Sequence, residues 1–484
     1  MEFKTFDVII IGGGAVGCAV AYVLSRFDLK VALVEKEYDV AAATSGRNSG
    51  VVHAGFNNRP GSLMAKLCVE GNEGFEALCK ELDVPYKKTG KYVVAFDQED
   101  YATLESILAQ GKANGCKGLE IIDAETLHSK LPDVGGIAAL YSPNTAVFDP
   151  FLYTVALADN AANNGVEFFL GQEITSIEKE EGLFKVSSKE KEIHSRMVVN
   201  CAGLNSDKVS AMAGCGGYRI FPCRGEYLIL DRIADKVLNV PVYPAPKRNI
   251  GGLGVHLTPT IHGNIIIGPS AEYIEGREDY ASTQELIDRL FAEARKLLPT
   301  LARNQVIGAY SGIRSKQAPP QEGGFHDFVI KEEPSCKGLV NLVGIESPGM
   351  TASMPIAKMV KSIISETLEL RPKETKPNLK RILKFSEQPD EVKAELIKKD
   401  PAYGEVVCRC QQVTKKEICQ AIENPLGVKT VSGIKYRVWA TTGRCNGGYC
   451  LSRISEILEK EYGIAPEDIS FRGPGSELYS GRVK

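Results

Sequence analysis

The sequence lacks a strong charge imbalance and a long uninterrupted apolar segment. Its 484 residues carry 58 Lys and Arg against 61 Asp and Glu, which gives a formal net charge of −3. It also has neither a basic helix nor an aromatic–basic patch, which argues against nucleic-acid binding. Residues 8–25 form a charge-free run of borderline membrane length, but a glycine cluster lies inside it. We therefore expect no integral membrane segment and leave peripheral membrane association open.

The sequence also lacks a clear secretion signal and a dense cysteine framework. An apolar run follows Lys4, but no cleavage-type region comes after it, and Glu2 and Asp7 weaken a signal-peptide interpretation. The 13 cysteines are spread through a long chain, unlike those of small secreted disulfide-rich proteins. We expect a cytoplasmic protein. Its composition, 43% hydrophobic and 25% charged, is that of a globular protein, and its length predicts about three domains.

A strand–turn–helix–strand pattern opens the chain. An apolar run (residues 6–11, FDVIII) leads directly into GGGAVG, and a predicted helix and a second strand follow, the latter ending at Glu35. Gly12 permits the tight turn, Gly14 lets the backbone approach a pyrophosphate, and Gly17 allows close packing of helix and strand. Glu35 is placed to accept hydrogen bonds from a ribose. This pattern predicts a bound dinucleotide.

Residues 41–55 (AAATSGRNSGVVHAG) combine small residues with hydrogen-bond donors. Small side chains at this density predict a backbone that lies close to a flat ligand, and Ser45, Arg47, Asn48 and Ser49 offer donors. The segment resembles the flavin-contacting loop of the D-amino-acid-oxidase-like FAD superfamily. Within that superfamily, SGRNSGVVHAG is similar to the branch of L-2-hydroxyglutarate dehydrogenases and FAD-dependent glycerol-3-phosphate dehydrogenases.

Later segments carry the same resemblance. Residues 197–203 (MVVNCAG) resemble the second FAD fingerprint, and residues 346–352 (ESPGMTA) resemble the last FAD element, whose helix N-terminus faces the pyrimidine end of the flavin. Such a helix end stabilises the anionic reduced flavin. The opening motif and the resemblance imply FAD contacts from Gly12, Gly14, Gly17, Glu35, Lys36, Ser45, Arg47, Asn48, Ser49, Ile174, Gly203, Gly349, Met350 and Thr351.

The predicted fold class is α/β. We expect a Rossmann-like FAD-binding domain built from residues 1–90, 145–215 and 331–370, with an inserted antiparallel-sheet substrate domain from residues 91–144 and 216–330. Residues 371–404, rich in Lys, Glu and Pro, are predicted to form a partly helical linker. A small, mostly helical domain is expected from residue 405 to residue 484.

Four cysteines near the end of the chain have metal-ligand spacing. Cys408 and Cys410 form one close pair, and Cys445 and Cys450 form another after 34 intervening residues, which include a predicted helix capped by Thr414. Four thiolates bind either zinc or a [2Fe–2S] cluster, although CxC pairs are unusual in zinc knuckles. The segment resembles the bacterioferritin-associated-ferredoxin-like module, which implies a [2Fe–2S] cluster. The other cysteines are predicted to be packed or free thiols.

A flavin and a one-electron cluster in one chain favour a dehydrogenase over an oxidase. Hydride removal from an alcohol needs a base for the hydroxyl proton and a cation for an anionic substrate. His256 and His53 are the candidate bases, because both lie in flavin-site motifs. Arg314, at the end of a predicted strand, is the candidate cation, since its fork pairs with phosphate or carboxylate. Arg224 and Lys247 are weaker candidates.

The resemblance leaves the substrate open between two anionic secondary alcohols. GVHLTP (residues 254–259) is similar to the L-2-hydroxyglutarate branch, whereas the fused cluster module favours glycerol-3-phosphate dehydrogenases. We expect oxidation of sn-glycerol 3-phosphate to dihydroxyacetone phosphate, with L-2-hydroxyglutarate as the alternative substrate. The electrons would pass through the cluster to an acceptor protein or a second flavoprotein subunit. A different class is an electron-transfer subunit of a heteromeric amine or opine dehydrogenase.

Overall fold

The structure, a computed structural model, describes residues 4–232, 238–247 and 253–481. In chain order the strands are β1 Thr5–Ile11, β2 Val31–Val34, β3 Val51–Val52, β4 Tyr86–Lys88, β5 Lys91–Ala95, β6 Glu120–Asp123, β7 Ala138–Ser142, β8 Ala146–Phe148, β9 Glu167–Phe169, β10 Ile174–Glu180, β11 Leu183–Ser188, β12 Glu192–Asn200, β13 Phe221–Leu230, β14 Val242–Pro244, β15 His256–Pro259, β16 Ile265–Gly268, β17 Glu272–Tyr273, β18 Val306–Lys316, β19 Val329–Glu332, β20 Leu339–Val343, β21 Val406–Cys408 and β22 Val413–Thr414.

The α-helices in chain order are α1 Ala15–Leu24, α2 Leu63–Glu81, α3 Gln98–Ala113, α4 Ala124–Lys130, α5 Pro150–Asn163, α6 Ser206–Met212, α7 Gln284–Leu297, α8 Gly349–Ser365, α9 Asp390–Lys399, α10 Lys415–Ile422, α11 Val431–Val438 and α12 Cys450–Tyr462. None of the helices formed by the described ranges is long and apolar enough to cross a membrane.

The first sheet has eight strands and a parallel centre. Its order is β10-β11-β12-β1-β2-β9, and β20 pairs with the C-terminal part of β12 and with β19. The pairs that join β9, β2, β1, β12 and β20 are parallel. Strands β1 and β2 are almost wholly buried because helices α1, α5 and α8 pack over one face of the sheet. This sheet confirms the predicted Rossmann-like α/β class.

The second sheet has nine strands drawn from two separate parts of the chain. Its order is β17-β13-β16-β15-β14-β5-β7-β6, with β18 beside β13. Helix α7 covers it with Leu290 and Leu297 in the shared core. The sheet was expected to be antiparallel, but β14 and β5 are parallel. No hairpin joins these two strands, so their relative direction is not constrained by a turn. From this arrangement we propose that residues 91–144 and 216–330 form the second domain, as the sequence predicts.

The C-terminal domain is a small helical unit with its own core. Helices α10, α11 and α12 enclose Ile418, Ile434 and Ile454 beside the two-stranded sheet β21–β22. Thr414 caps α10 as predicted: its side chain accepts from the N–H of Glu417, and the Glu417 carboxylate accepts from the N–H of Thr414. Local sequence signals therefore determined where this helix begins.

The predicted linker is partly helical, but its first part is tied to the Rossmann-like domain. Pro372 forms a β-bridge with Phe27, and the N–H of Leu379 donates to Asn160 Oδ1 at 2.7 Å. Helix α9 forms the helical part. The first part of the segment therefore follows the surface of the first domain.

Helix α11 joins the C-terminal domain to the Rossmann-like domain. Arg437 Nη1 and Nη2 lie 2.8 and 3.3 Å from the two carboxylate oxygens of Asp39, and both side chains are buried. The Tyr436 ring stacks on Phe151 of α5 with ring centroids 4.4 Å apart. A buried ion pair and an aromatic stack thus hold the two domains together.

The only tryptophan of the chain lies where the three domains meet. The indole N–H of Trp439 donates to Asp149 Oδ2 at 2.9 Å, and His262 Nε2 of the second domain lies 2.8 Å from the same oxygen. The other carboxylate oxygen of Asp149 caps α5 by accepting from the N–H of Leu152. One buried carboxylate therefore bonds to all three domains.

Candidate active site and cluster site

A cleft of about 340 Å³ lies at the carboxyl ends of the parallel strands of the first sheet. Every residue predicted to contact FAD lines this cleft, with the single exception of Gly17, and so do His53, His256 and Arg314. The carboxyl ends of parallel strands are where α/β proteins bind ligands. The fold therefore brings together candidates that are spread from residue 12 to residue 351 of the chain.

The nucleotide end of the cleft is built by close backbone contacts. Gly12 has φ of +113°, and a Cβ atom there would lie 2.4 Å from the carbonyl oxygen of Cys201. A Cβ atom on Gly17 would lie 2.0 Å from the carbonyl oxygen of Gly12. Gly17 thus packs behind the turn, as its predicted packing role requires. The Glu35 carboxylate accepts from the N–H of Gly13 at 2.5 Å and faces the cleft.

Two helices begin at the cleft wall without a side-chain cap. Helix α1 follows Gly14 and has no acidic residue in its first turn, and the N–H of Ala15 donates to Ser45 Oγ at 2.9 Å. Helix α8 begins at Gly349 and likewise lacks a side-chain cap. Met350 and Thr351 of its first turn line the cleft. Both helix ends offer N–H groups and a partial positive charge to an anionic ligand.

The loop of residues 44–50 is fixed against β18. A Cβ atom on Gly312 would lie 2.1 Å from the carbonyl oxygen of Arg47, and the Tyr310 hydroxyl donates to the carbonyl oxygen of Asn48 at 3.0 Å. The Arg47 guanidinium lies 4.1 Å from the centroid of the Tyr280 ring, and burial lowers the pKa of Arg47. The loop therefore passes between the two domains in one defined position.

The remaining FAD candidates lie around the same end of the cleft. Lys36 forms an ion pair with Glu278 of the second domain. Ile174 begins β10, and Gly203 begins a short 3₁₀ turn with φ of +52°. Ser49 lines the cleft beside the loop residues already described.

His53 lies next to the first turn of α8. Its backbone N–H donates to Thr351 Oγ1 at 3.0 Å, and its Nε2 lies 3.4 Å from Ser347 Oγ. Burial and the nearby Lys91 amine lower the pKa of His53 to about 3. The imidazole is therefore uncharged at neutral pH and can accept a proton.

His256 lies deeper in the wall, on β15, and is 4% exposed. Its Nδ1 is 2.9 Å from Thr258 Oγ1, and its ring stacks on Tyr243 with centroids 3.8 Å apart. Burial lowers its pKa well below the ordinary value. His256 is thus a second uncharged imidazole, with one nitrogen already in a hydrogen bond.

Arg314 supplies a cation to the cleft. Its Nη1 and Nη2 donate to the carbonyl oxygen of Ser270 at 3.2 and 3.1 Å. Within the described ranges no carboxylate lies within ion-pair distance of it. A Cβ atom on Gly225 would lie 2.9 Å from Nη2, so the small residue makes room for the guanidinium. The charge is therefore available to an anionic ligand.

The two weaker cation candidates lie outside the cleft. Arg224 is 8% exposed and pairs with Asp279 at 2.6 Å and with Glu226 at 3.2 Å, which gives it a structural role. Lys247 is exposed at the end of a described range. Neither side chain is placed to bind a substrate in the cleft.

The four predicted metal ligands meet in the C-terminal domain as two pairs. The Sγ atoms of Cys410 and Cys445 are 3.6 Å apart, and the Cys408 thiol lies next to that of Cys450. Two thiolates on one tetrahedral ion at ~2.3 Å lie about 3.8 Å apart. A Cβ atom on Gly443 would lie 2.1 Å from Cys410 Cβ, so a side chain there would displace this ligand.

The arrangement of the thiols suits a two-iron cluster. No three His, Cys, Asp or Glu side chains in the part of the chain that the structure describes form a site for one metal ion. Two separate thiol pairs match a cluster with two metal centres better than one tetrahedral zinc ion. Cys419 lies on α10, where its thiol is close to Glu461, as expected for a cysteine that is not a ligand.

Backbone N–H groups converge on these thiols. The Cys450 thiol and the N–H groups of Thr441 and Gln411 lower the pKa of Cys408, and the N–H of Tyr449 lowers the pKa of Cys445. Such donors stabilise thiolates and tune a cluster that they hold.

Comparison with known proteins agrees with both predicted cofactors. Residues 7–363 match the model of the FAD dependent oxidoreductase family, and residues 406–460 match that of the BFD-like [2Fe-2S] binding domain. The chain belongs to the FAD-dependent oxidoreductase family. Its cofactors are FAD and a [2Fe–2S] cluster.

Three relatives define its neighbourhood within the family. The chain is 37% identical to a glycerol 3-phosphate dehydrogenase of Caloramator mitchellensis over 483 residues, which cover 99% of each protein. It is 33% identical to an L-2-hydroxyglutarate dehydrogenase of Caenorhabditis briggsae over 75% of this chain and 94% of that one. It is similar to the FAD-bound structure of L-alpha-glycerophosphate oxidase from Mycoplasma pneumoniae, with a TM-score of 0.72, 29% identity, and coverage of 78% and 98%.

Two features of the site in this FAD-dependent oxidoreductase are not predicted by the sequence. Lys91 is 1% exposed behind the histidines, and Tyr243 stacks on His256. Glu346 lines the cleft and pairs with the fully buried Lys316 at 3.1 Å. A lysine that opens an apolar strand is ordinary in a sequence, and only the pairing of β5 with β14 and β7 buries it.

Proposed function

We propose that this FAD-dependent oxidoreductase oxidises sn-glycerol 3-phosphate to dihydroxyacetone phosphate and passes the electrons to an acceptor protein. The observation that carries the proposal is end-to-end similarity to a glycerol 3-phosphate dehydrogenase, which includes the cluster domain. The similarity to a glycerophosphate oxidase structure supports the same substrate. Bound FAD supplies the hydride acceptor, and the cluster supplies a one-electron carrier.

The side chains of the cleft fit an anionic secondary alcohol. Arg314 binds the phosphate through N–H groups of its guanidinium other than those that donate to the carbonyl oxygen of Ser270. His53 is the better placed base, because its ring is partly exposed and its Nε2 has only a long contact to Ser347 Oγ. His53 takes the proton from the substrate hydroxyl, while a hydride leaves the carbon that bears this hydroxyl. His256 supports the site from the buried wall.

Contacts within the chain support an internal electron path. The Phe151 ring packs so close to Gly46 of the flavin loop that a Cβ atom there would lie 2.5 Å from it. On its other side the ring meets Tyr436 and Trp439 of the cluster domain, with centroids 4.4 and 5.8 Å away. The N–H of Thr441, two residues further, bonds to the Cys408 thiol. We propose that the electrons cross between the cofactors of one chain.

The exposure of the four thiols suggests where electrons would leave the cluster. Cys408 and Cys450 are buried, whereas Cys410 and Cys445 are exposed. We propose that an acceptor protein approaches the edge formed by Cys410 and Cys445.

The test is anaerobic bleaching of the bound flavin by glycerol 3-phosphate, L-2-hydroxyglutarate or an amino acid. We expect glycerol 3-phosphate to bleach it. Arg314→Met should lower kcat/KM by about 100-fold, because losing a buried charge partner costs about 3 kcal/mol. The control Arg303→Met, at an exposed ion pair with Asp288, should change little. Normal kinetics of the Arg314 variant would contradict its role.

A second candidate substrate is L-2-hydroxyglutarate. Its carboxylates would use the same cation, and the similarity to L-2-hydroxyglutarate dehydrogenases favours it. Bleaching by L-2-hydroxyglutarate alone would select it. Bleaching by none of the compounds would instead favour an electron-transfer subunit of a larger dehydrogenase.

A further inference from the structure

Lys91 is a buried lysine without a hydrogen-bond partner among the described residues. It is 1% exposed, and no acceptor lies in reach of its Nζ. The Nζ atom is 4.5 Å from the centroid of the Phe56 ring and 4.2 Å from that of Tyr243. Lysine is almost never fully buried unless it is paired, because desolvating an ammonium group is costly. A residue that lowers stability in this way calls for a functional reason.

The groups around Lys91 in the described ranges offer no counter-ion. Cys68 of α2, Tyr243 of β14, His256 of β15 and His53 after β3 are the titratable groups that face it. Burial raises the pKa of the Cys68 thiol and of the Tyr243 hydroxyl, so both are uncharged at neutral pH. An ammonium group here acts on its neighbours without being neutralised by them.

Lys91 is connected to the catalytic wall through one ring. Tyr243 contacts the Lys91 amine and also stacks on His256, with the centroids of the Tyr243 and His256 rings 3.8 Å apart. Both Tyr243 and His256 line the cleft, whereas Lys91 lies behind them. The amine can therefore act on the imidazoles but cannot touch the substrate.

We propose that Lys91 is a positioning residue that takes up the first proton as the solution becomes acidic and so opposes protonation of the two imidazoles. A histidine base is thereby kept free to accept the proton of the substrate hydroxyl. This inference rests on the proposed function in so far as a histidine is the base.

The direction of the effect follows from the charges. Burial lowers the pKa of Lys91 to about 7, and burial together with Lys91 lowers the pKa of His53 to about 3. As the pH falls through 7, the first proton therefore goes to the amine. The charged amine then opposes protonation of His53 and His256, because a nearby like charge disfavours the charged form.

The experiment compares Lys91→Met with Lys88→Met in the FAD-loaded protein. Methionine keeps the length of the side chain without its charge, and Lys88 is an exposed lysine on neighbouring β4. The protonation of each imidazole is followed by nuclear magnetic resonance with labelled histidine. Signals are assigned with His53→Gln and His256→Gln. The pH profile of flavin bleaching by glycerol 3-phosphate is measured in parallel.

We expect Lys91→Met to fold at least as stably as wild type and to raise the His53 midpoint by about one pH unit. The acid limb of kcat/KM should move upward with it, while Lys88→Met changes neither. Unchanged imidazole midpoints in Lys91→Met would overturn the proposal. A higher KM at every pH without movement of the acid limb would also overturn it, since Lys91 would then be an anion-binding group.

The two readouts separate this inference from the proposed function. The resonance titration uses no substrate, so it supports or overturns the role of Lys91 by itself. Failure of glycerol 3-phosphate to bleach the wild-type flavin at any pH would refute the proposed substrate and leave that titration result standing.

Discussion

Removal of Arg437 tests how the cluster domain is held against the Rossmann-like domain. In Arg437→Met the Asp39 carboxylate, 5% exposed at the side chain, loses bonds of 2.8 and 3.3 Å. Asp159 lies 4.0 Å from the same guanidinium, so two carboxylates are left buried without a cation. Breaking a buried pair in this way costs about 3–5 kcal/mol. In a domain of this size that lowers the midpoint of thermal unfolding by roughly 10 °C or more.

The assay is thermal unfolding of the holoprotein followed by circular dichroism, together with limited proteolysis of residues 371–404. The matched control is Arg453→Met, which removes a partly exposed pair with Glu405 in the same domain. We expect that variant to lose less than about 1 kcal/mol. In the Arg437→Met background, Asp39→Asn should recover part of the stability, because it removes one of the uncompensated charges.

The pH dependence of stability gives a second check on the role of Arg437. Burial already raises the pKa of Asp159 to about 6 while Arg437 is present, and removal of the arginine raises it further. When the pKa of a carboxyl is higher in the folded than in the unfolded state, the folded protein becomes more stable as the pH falls. The deficit of Arg437→Met should therefore shrink as the pH falls toward about 6, in the range between the higher Asp159 pKa of the variant and that of wild type. An unchanged midpoint, or a deficit that grows in acid, would refute the reasoning.

Three further predictions follow from the cluster domain and the histidines. Cys410→Ser should abolish the iron–sulfur absorption while Cys419→Ser retains it, because the Cys419 thiol lies apart on α10; equal loss in both would contradict the ligand assignment. Trp439 is the only tryptophan, so its fluorescence should change in the unfolding transition whose midpoint Arg437→Met lowers; a change in a separate transition would contradict the contact between the domains at Trp439. Wild-type kcat/KM for flavin bleaching should show no acid limb near the ordinary histidine pKa of about 6.5, because burial and the Lys91 amine lower the pKa of His53 and His256; a midpoint there would contradict the lowered pKa of the base.

Local motifs were predictable because a few neighbouring residues determine the backbone they need. Gly12 has the positive φ of the phosphate turn, and Thr414 caps the helix it was predicted to cap. The segments around Ser45 and Gly349 line one cleft because parallel strands end at the same edge of a sheet.

The environment of single side chains was not predictable from local patterns. The sequence shows Arg224 and Arg314 as similar cations near strands, but only one of them is left without a carboxylate partner. Nor does it indicate that residues 371–379 lie along the first domain. Both outcomes depend on residues far away in the chain.

The sequence by itself determined the family and the two cofactors, since these are encoded in short motifs with strict backbone requirements. The tertiary structure decided which of those residues are charged, buried or paired. Lys91 is the clearest case: it opens an ordinary strand, and only the pairing of β5 with β14 and β7 places its amine behind two imidazoles. Desolvation and charge proximity are properties of neighbours in space, and long-range strand pairing supplies those neighbours.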